Sequence, residues 1–454
     1  MQIEKQYIDL FLANRQAIDL HSAAVLNERR DEAFRLFCEN GFPTTTDERY
    51  LYTDASLLFE PDYGLNLSGI EFPVNPYSIF RCGVPGINSH LYFVINDRFY
   101  SKPQPNAGAL PEGVIACGLR EAAERYPDLV RRHYGSVADC GDGAVALNTS
   151  FAQDGFFLYV PKGVEIQQTI QLINLMRADV DLLAQSRNLI ILEEGAKASL
   201  LVCAHTLDSH RFLANRVTEV IVGKGARYEH YKLESTRRDM TNLGHLYVQQ
   251  QEDSDVLINE VTLQNGVTRN NVQVDLCGER ANLNLCGMSI NDGKQHTDTS
   301  TLVRHLVPNC TTNELYKYVL DEEAVGAFSG LIYVSPGASG TKAVQTNRNI
   351  CLSHGARMHA KPHLEIYNDD VICNHGATVG QLDADTIFYL RSRGIPEAEA
   401  KMLLMFAFVA DVEEFIRVPA LRDTIKMMIE HRFRGHETHN CTGCSSQEAC
   451  KPKS

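Results

Sequence analysis

Three regimes of hydrophobic and polar patterning follow one another along the chain. From the start to about residue 40, Ile8, Leu10 and Phe11, then Leu26, Ala33, Leu36 and Phe37, recur at three- and four-residue spacing among charges, which predicts helices. Gly41-Phe42-Pro43 ends this region. In the mixed segment that follows, HLYFVINDRFY at 90–100 reads as a strand pair turning through Asn96-Asp97, and LREAAERYPDLVRRHYG at 119–135 as a helix stopped by glycine. From about 145 to 375 the helical period disappears. Short runs rich in Val, Leu, Ile and Tyr alternate with polar corners, many containing Gly-Ala: EEGAKASLLV, GKGARYEHYKL, SPGASGTKAVQ and SHGARMHAKPHLEI. DSDVLINEVTL and CGERANLNLCG vary the corner and keep the strand, while NHGATVG repeats only the corner. After Thr378 helices return: Asp383 or Asp385 can cap one, Gly394 ends it, Pro396 begins the next, and Pro419 separates a last helix striped by Leu421, Ile425, Met428 and Ile429.

A single turn-plus-strand unit cannot bury its own apolar face, so more than 200 residues of such units imply coils stacked into a solenoid. A β-sandwich also uses many short strands. Similar corners recurring without hairpin dipeptides such as Asn-Gly favour the solenoid. The expected organisation is an N-terminal helical and small α/β region at 1–135, a parallel β-helix core at 136–378, a C-terminal helical domain at 379–435 and a Cys-rich tail at 436–454. The helix PEAEAKMLLMFAFVADVEEFI is apolar around most of its circumference, so it is either buried or a docking surface.

Composition narrows the function. Asp and Glu outnumber Lys and Arg 57 to 43, a net charge of −14, which disfavours a broad nucleic-acid face. The opening MQIEKQYIDLFLANRQ lacks the regions of a signal peptide, and the longest apolar candidate, MLLMFAFVA at 402–410, is half of what spans a bilayer. Thirteen cysteines, mostly single within apolar stretches, fit a reducing cytoplasm. No Walker loop, Gly-x-Ser-x-Gly elbow or His-Glu-x-x-His occurs. Density of potential ligands is highest at 351–375, in Cys351, His354, His359, His363, Glu365, Cys373 and His375, whose thiolates and imidazoles suit iron, zinc or copper if they converge. Spacing alone puts Cys373-Asn374-His375 at the corner of the last coil. The tail HETHNCTGCSSQEAC offers His436, His439, Cys441, Cys444 and Cys450, with Cys441 and Cys444 spaced to share one metal and Cys450 and His439 able to complete a tetrahedron. A flexible thiol-bearing tail is the alternative.

GFPTTTDERYLYTD at 41–54, LNTSFAQDGFFLYVPKGV at 147–164, QTNRNICLS at 345–353, AKPHLEIYNDDVICNHGAT at 360–378 and IFYLRSRGIPEAEAKMLL at 387–404 together resemble the SufB/SufD family of iron–sulfur cluster assembly proteins, and SufD most closely. The resemblance implies a right-handed parallel β-helix flanked by an N-terminal helical region and a C-terminal helical domain. It implies a non-catalytic scaffold that pairs with a SufB-like chain and binds a SufC-like ABC ATPase through the C-terminal helices, where Leu403, Leu404, Phe406 and Phe408 are the docking candidates. Iron or a transient iron–sulfur cluster would sit at the junction with SufB, with His375 and, less directly, Cys373 facing it. LSHGARMHAK at 352–361 holds no cysteine, and glycine stands at 376 where SufB-like chains carry glutamate, so the sulfur-accepting cysteine is expected on the partner. A homodimer is a further possibility when SufB is absent. Two other functions compete: a β-helix enzyme acting on polysaccharide, disfavoured by the missing export signal and the lack of an Asp ladder, and a metal carrier working through the tail.

Overall fold

The computed structural model describes residues 2–70, 75–79, 87–102, 104, 108–207 and 209–435. Three helices open the chain, α1 (Gln2–Leu20), α2 (Ala24–Asn27) and α3 (Arg30–Asn40), followed by the short α4 (Ala55–Leu58) and α5 (Pro76–Ile79). Strands β1 (Ser89–Ile95) and β2 (Arg98–Phe99) pair antiparallel through Asn96-Asp97 as predicted, with Asn96 at φ 58°. After β3 (Ile115–Gly118) the expected single helix is two, α6 (Leu119–Arg125) and α7 (Pro127–His133). The residue before a proline avoids helical backbone, and Tyr126 breaks the helix at φ −131°, ψ 56°. The next helix, α8 (Gly143–Phe151), has no counterpart in the sequence pattern because every one of its residues is buried, leaving no polar face to set a period.

The solenoid is built from β4 (Phe156–Val160), β5 (Thr169–Met176), β6 (Leu182–Leu192), β7 (Lys197–Thr206), β8 (Phe212–Val222), β9 (Arg227–Ser235), β10 (Thr241–Gln250) and β11 (Asp255–Gln264). It continues through β12 (Val267–Leu276), β13 (Asn282–Asn291), β14 (His296–His305), β15 (Thr311–Leu320), β16 (Val325–Val334), β17 (Thr341–Cys351), β18 (Arg357–Ile366) and β19 (Val371–Gly380). Odd-numbered strands line up as β19-β17-β15-β13-β11-β9-β7-β5-β1-β2 in one sheet, and even-numbered ones run from β18 to β4, then β3, in the other. Each coil therefore gives one strand to each sheet, and the pairs β4–β5 to β18–β19 make about eight coils. The strand β1 also joins the stack, in parallel with β5, which sequence alone did not indicate.

One corner explains the Gly-Ala signal at Gly195 and Gly225, whereas Gly337 and Gly355 turn without a positive φ. Gly163, Gly195, Gly225 and Gly340 have φ between +62° and +71°, and Asp253, Arg280 and Asn309 take the same left-handed seat at 56–63° in the coils between. The seat recurs because each of these amides donates to a carbonyl of the next coil, as in Gly195 to Lys224, Asp253 to Glu279 and Asn309 to Ser339. The following small residue, Ala196, Ala226 or Ala281, turns into the lumen core with Val220, Ile258, Leu285 and Phe328. Coils that seat Asp, Arg or Asn instead of Gly are the ones whose repeat is hard to see in sequence.

Helices cover the outer faces. The N-terminal helices and α8 pack against Leu183, Leu213 and Leu243 of the even sheet, where buried Arg187 and Glu219 pair at 2.8 Å. The segment after Gly41 continues along that face: Arg269 lies 4.5 Å over the Tyr50 ring, Thr53 donates to Asp298 at 2.6 Å, and Tyr52 stacks on His359 of β18. At the other end α9 (Ala384–Ser392), α10 (Glu397–Glu414) and α11 (Pro419–Phe433) follow. Asp383 caps α9 through the amides of Asp385 and Thr386, and Gly394, at φ 87°, ends it. Met402, Met405, Val409 and Val412 of α10 and Leu421, Ile425 and Ile429 of α11 bury themselves on the odd sheet with Leu257, Val261 and Met288. Among the described residues no helix is long and apolar enough to cross a membrane.

Candidate functional site

Among the described residues, the end of the solenoid nearest the C-terminus is bare. Every strand from β5 to β17 is hydrogen-bonded on both sides, whereas β18 and β19 each have a neighbour on one side only. The stretch containing Cys373-Asn374-His375 is not a corner. It lies within β19, with Cys373 opposite Ala343, His375 opposite Gln345 and Gly376 opposite Thr346. The corner-like His-Gly-Ala misleads because Gly376 is paired within a strand, opposite Thr346, where Gly355 of the similar His-Gly-Ala at 354–356 lies in a connection between strands.

Alternation along β19 turns Val371, Cys373, His375, Ala377 and Val379 to one face of the sheet. Val371 and Cys373 pack against the lumen core, so that face is the inner one. Among the described residues no later coil covers it: Cys373 is half-buried and His375 is exposed. Burial pushes the Cys373 thiol above its ordinary value, partly offset by the backbone hydrogen bond from Ala343. A thiol so placed needs a cation or a metal beside it to become a ligand.

The ligand-rich stretch 351–375 splits. Cys351 shares the inner face of its sheet, but its strand position is eight residues beyond Ala343, the partner of Cys373, roughly 26 Å at about 3.3 Å per residue. The residues His359, His363 and Glu365 alternate with the inward Met358 and Leu364 of β18 and so face outward. There His359 stacks on Tyr52 at 4.4 Å and His363 lies 3.6 Å from Glu365. His354 is exposed in the connection between β17 and β18. Among the described residues no three His, Cys, Asp or Glu side chains gather to hold a metal ion. The tail candidates His436, His439, Cys441, Cys444 and Cys450 lie outside the described residues.

Of the four docking candidates on α10, Leu403 is exposed and Leu404 half-buried. Phe406 and Phe408 are committed to packing: Phe406 meets Phe433 edge-on at 5.3 Å, and Lys317 sits 4.9 Å over the Phe408 ring while donating to its carbonyl. Within the C-terminal helices the exposed Phe and Tyr rings among the described residues are Phe388 and Tyr389 on α9, 71% and 55% accessible, which no sequence motif marks. Ile366, Tyr367, Ile372 and Val379 add exposed apolar area at the bare end of the solenoid.

Beneath His375 lies a polar column that no sequence motif marks. Gln345 Nε2 donates to Glu314 Oε2 at 2.8 Å, and Thr301 Oγ1 donates to Glu314 Oε1 at 2.5 Å, all in the lumen. Burial pushes the Glu314 carboxyl up to about 7 against the pull of these two donors.

Comparison with known proteins places these features in a family. The family model described as SUF system FeS cluster assembly, SufBD core domain, matches residues 175–408, and that of the SufBD protein N-terminal region matches residues 1–172. An iron–sulfur cluster assembly SufBD family protein of Synechocystis is 27% identical over 418 residues, 90% of this chain and 91% of that protein. SufD of Escherichia coli is 31% identical over 252 residues, 56% of this chain and 60% of its own length. SufD of Bacillus subtilis is 26% identical over 331 residues, covering 71% and 75%.

Proposed function

The chain belongs to the SufBD family of the SUF iron–sulfur cluster assembly system, and from that premise we propose that it is a SufD-like, non-catalytic scaffold subunit. Its bare solenoid end pairs with a SufB-like chain, and the C-terminal helices bind a SufC-like ATPase. The observation that carries this reading is the inner face of β19, where Cys373 and His375 stand at the mouth of a lumen that no further strand among the described residues closes. An edge strand left open in this way is a template for another chain. The exposed Ile366, Tyr367, Ile372 and Val379 supply apolar area for that contact.

In this reading the iron or nascent cluster is cargo held at the junction. His375 presents its imidazole nitrogen to iron, Cys373 is a second ligand once the cargo's charge lowers its thiol, and SufB supplies the remaining cysteine and carboxylate. Hydrolysis of ATP by SufC, docked on Leu403 and the exposed rings of α9, reshapes the junction. This division of labour accounts for a chain whose described residues offer half a ligand set. The SufD relatives support the role, and the absence of a cysteine at 352–361 supports the placement of the sulfur acceptor on SufB.

The test is co-purification followed by assembly. The chain, expressed from its native cytosol, is expected to bring down a SufB-like chain and an ABC ATPase. His375→Ala is expected to keep the fold and the complex, because the side chain is exposed, and to lose cluster formation in the three-protein complex. Undiminished cluster formation by that variant overturns the assignment of His375.

A further inference from the structure

The register of the odd sheet stacks Leu285, Glu314, Gln345 and His375 in one row across β13, β15, β17 and β19. The row facing it across the lumen is Val272, Thr301, Gly330 and Pro362, from β12, β14, β16 and β18. On the inner side Leu285 and Val272 belong to the apolar core and close the column off from the rest of the lumen. On the outer side the row ends at exposed His375. Glu314 and Gln345 are fully buried, so the open end of the solenoid is the near side from which they can be reached.

Three details show that the Gln345 amide is placed, not merely accommodated. Its Nε2 is spent on Glu314 at 2.8 Å. The space it occupies exists because residue 330 is glycine: a Cβ there would collide with the Gln345 amide and come within 2.8 Å of Phe328 Cζ. Finally, its Oε1 is buried and has no hydrogen-bond partner among the described residues. A buried orphan acceptor costs free energy, and the next side chain of the row, one strand spacing of about 4.8 Å away, is the His375 imidazole.

We propose that Glu314 and Gln345 form an internal bracket that positions the His375 ring: the Gln345 carbonyl accepts one ring N–H of His375 while its amide stays anchored on Glu314, so the other ring nitrogen points out of the lumen. A histidine that binds a metal through one nitrogen usually donates the other N–H to a fixed acceptor, which sets tautomer and ring orientation. Here the acceptor is held from beneath by Glu314, itself held by Thr301. Gln345 and Glu314 are positioning residues, and neither touches the cargo. The proposal rests on the reading of His375 as an iron-facing residue, but the bracket itself is observable without iron.

The experiment has two arms. In the first, the full-length chain is labelled with 15N-histidine, and the His375 signal is identified by its loss in His375→Ala. A ring N–H of His375 protected from water exchange is expected, and is expected to disappear in Gln345→Leu. In the second, ferrous ion is titrated into the complex with the SufB-like and SufC-like chains. Gln345→Leu and Glu314→Gln are each expected to weaken iron binding about tenfold or more, with no further loss when either is combined with His375→Ala. If Gln345→Leu does not fold, Gly330→Ala displaces the same amide and is read the same way.

A protected N–H that survives in Gln345→Leu, or no protected N–H in the native chain, overturns the bracket. So does a tenfold loss on His375→Ala with none on Gln345→Leu. If His375→Ala leaves iron binding unchanged, the functional reading of His375 fails, and the bracket then stands or falls on the first arm.

Discussion

Glu314 offers the sharpest quantitative test, because its carboxyl is fully enclosed and among the described residues its anchors are two neutral donors. Burial raises it from 4.5 to about 7. The folded chain therefore holds this proton more tightly than the unfolded chain does. The associated stability is present below about pH 4.5 and is lost as pH rises through 7. At about 1.4 kcal/mol per pH unit of separation, the full difference is roughly 3 kcal/mol, of which about 2 to 3 kcal/mol develops between pH 5 and pH 8. Glu314→Gln cannot titrate, so its stability relative to the native chain should improve by that amount over the interval, whatever its offset at pH 5. Urea midpoints read by circular dichroism suit the measurement, since the chain contains no tryptophan. All other ionisable groups cancel between the two proteins. A difference between them that stays constant within about 0.5 kcal/mol from pH 5 to 8 would refute the reasoning, because Glu314 would then titrate alike folded and unfolded.

Three further outcomes follow from the packing. Glu219 is wholly buried and accepts from Arg187 and from the amides of Gly135, Val137 and Ala138; Glu219→Ala should cost about 3–5 kcal/mol by urea unfolding, and adding Arg187→Met should recover part of the loss. Leu421→Ala, at the buried start of α11, should cost about 2–5 kcal/mol and expose the C-terminal helices to limited proteolysis while the strands stay protected. Gly225→Ala, at a left-handed corner, should cost about 1 kcal/mol or more, whereas Gly376→Ala, in a strand with open space around it, should stay within about 0.5 kcal/mol. Equal costs at Gly225 and Gly376 would contradict the assignment of 371–380 as a strand.

Much of the fold was legible because the strongest signals are local. The Gly-Ala corners at Gly195 and Gly225 mark a backbone seat that side chains occupy at a cost, and Asp383, Gly394 and Pro419 punctuate the last helices by the rules of capping. What escaped notice was either apolar throughout, as in α8, or depended on strands far apart, as in the pairing of β1 with β5. The candidate site was half legible. Cys373 and His375 were picked out by type and by resemblance, but the same density of ligands drew in His359, His363 and Glu365. Only the alternation of β18 shows that these face away. Glu314, Gln345 and Gly330 carry no motif; they become a group through the register of stacked coils, which a linear sequence does not display.

Stacking also governs how firmly the last coil is held. In an array where each coil touches only its neighbours, an interior coil is stabilised by two interfaces and a terminal one by a single interface. The β18–β19 coil therefore opens at a lower free energy than its predecessors, and amide exchange should be fastest there among the coils. His375 thus rides on the unit of the solenoid whose order is most sensitive to what is laid against it. A chain that docks on this edge turns a terminal coil into an interior one, so capturing the partner and fixing the ring become a single linked equilibrium. Loosening the coil from within would then weaken the partner's grip without altering one residue it touches.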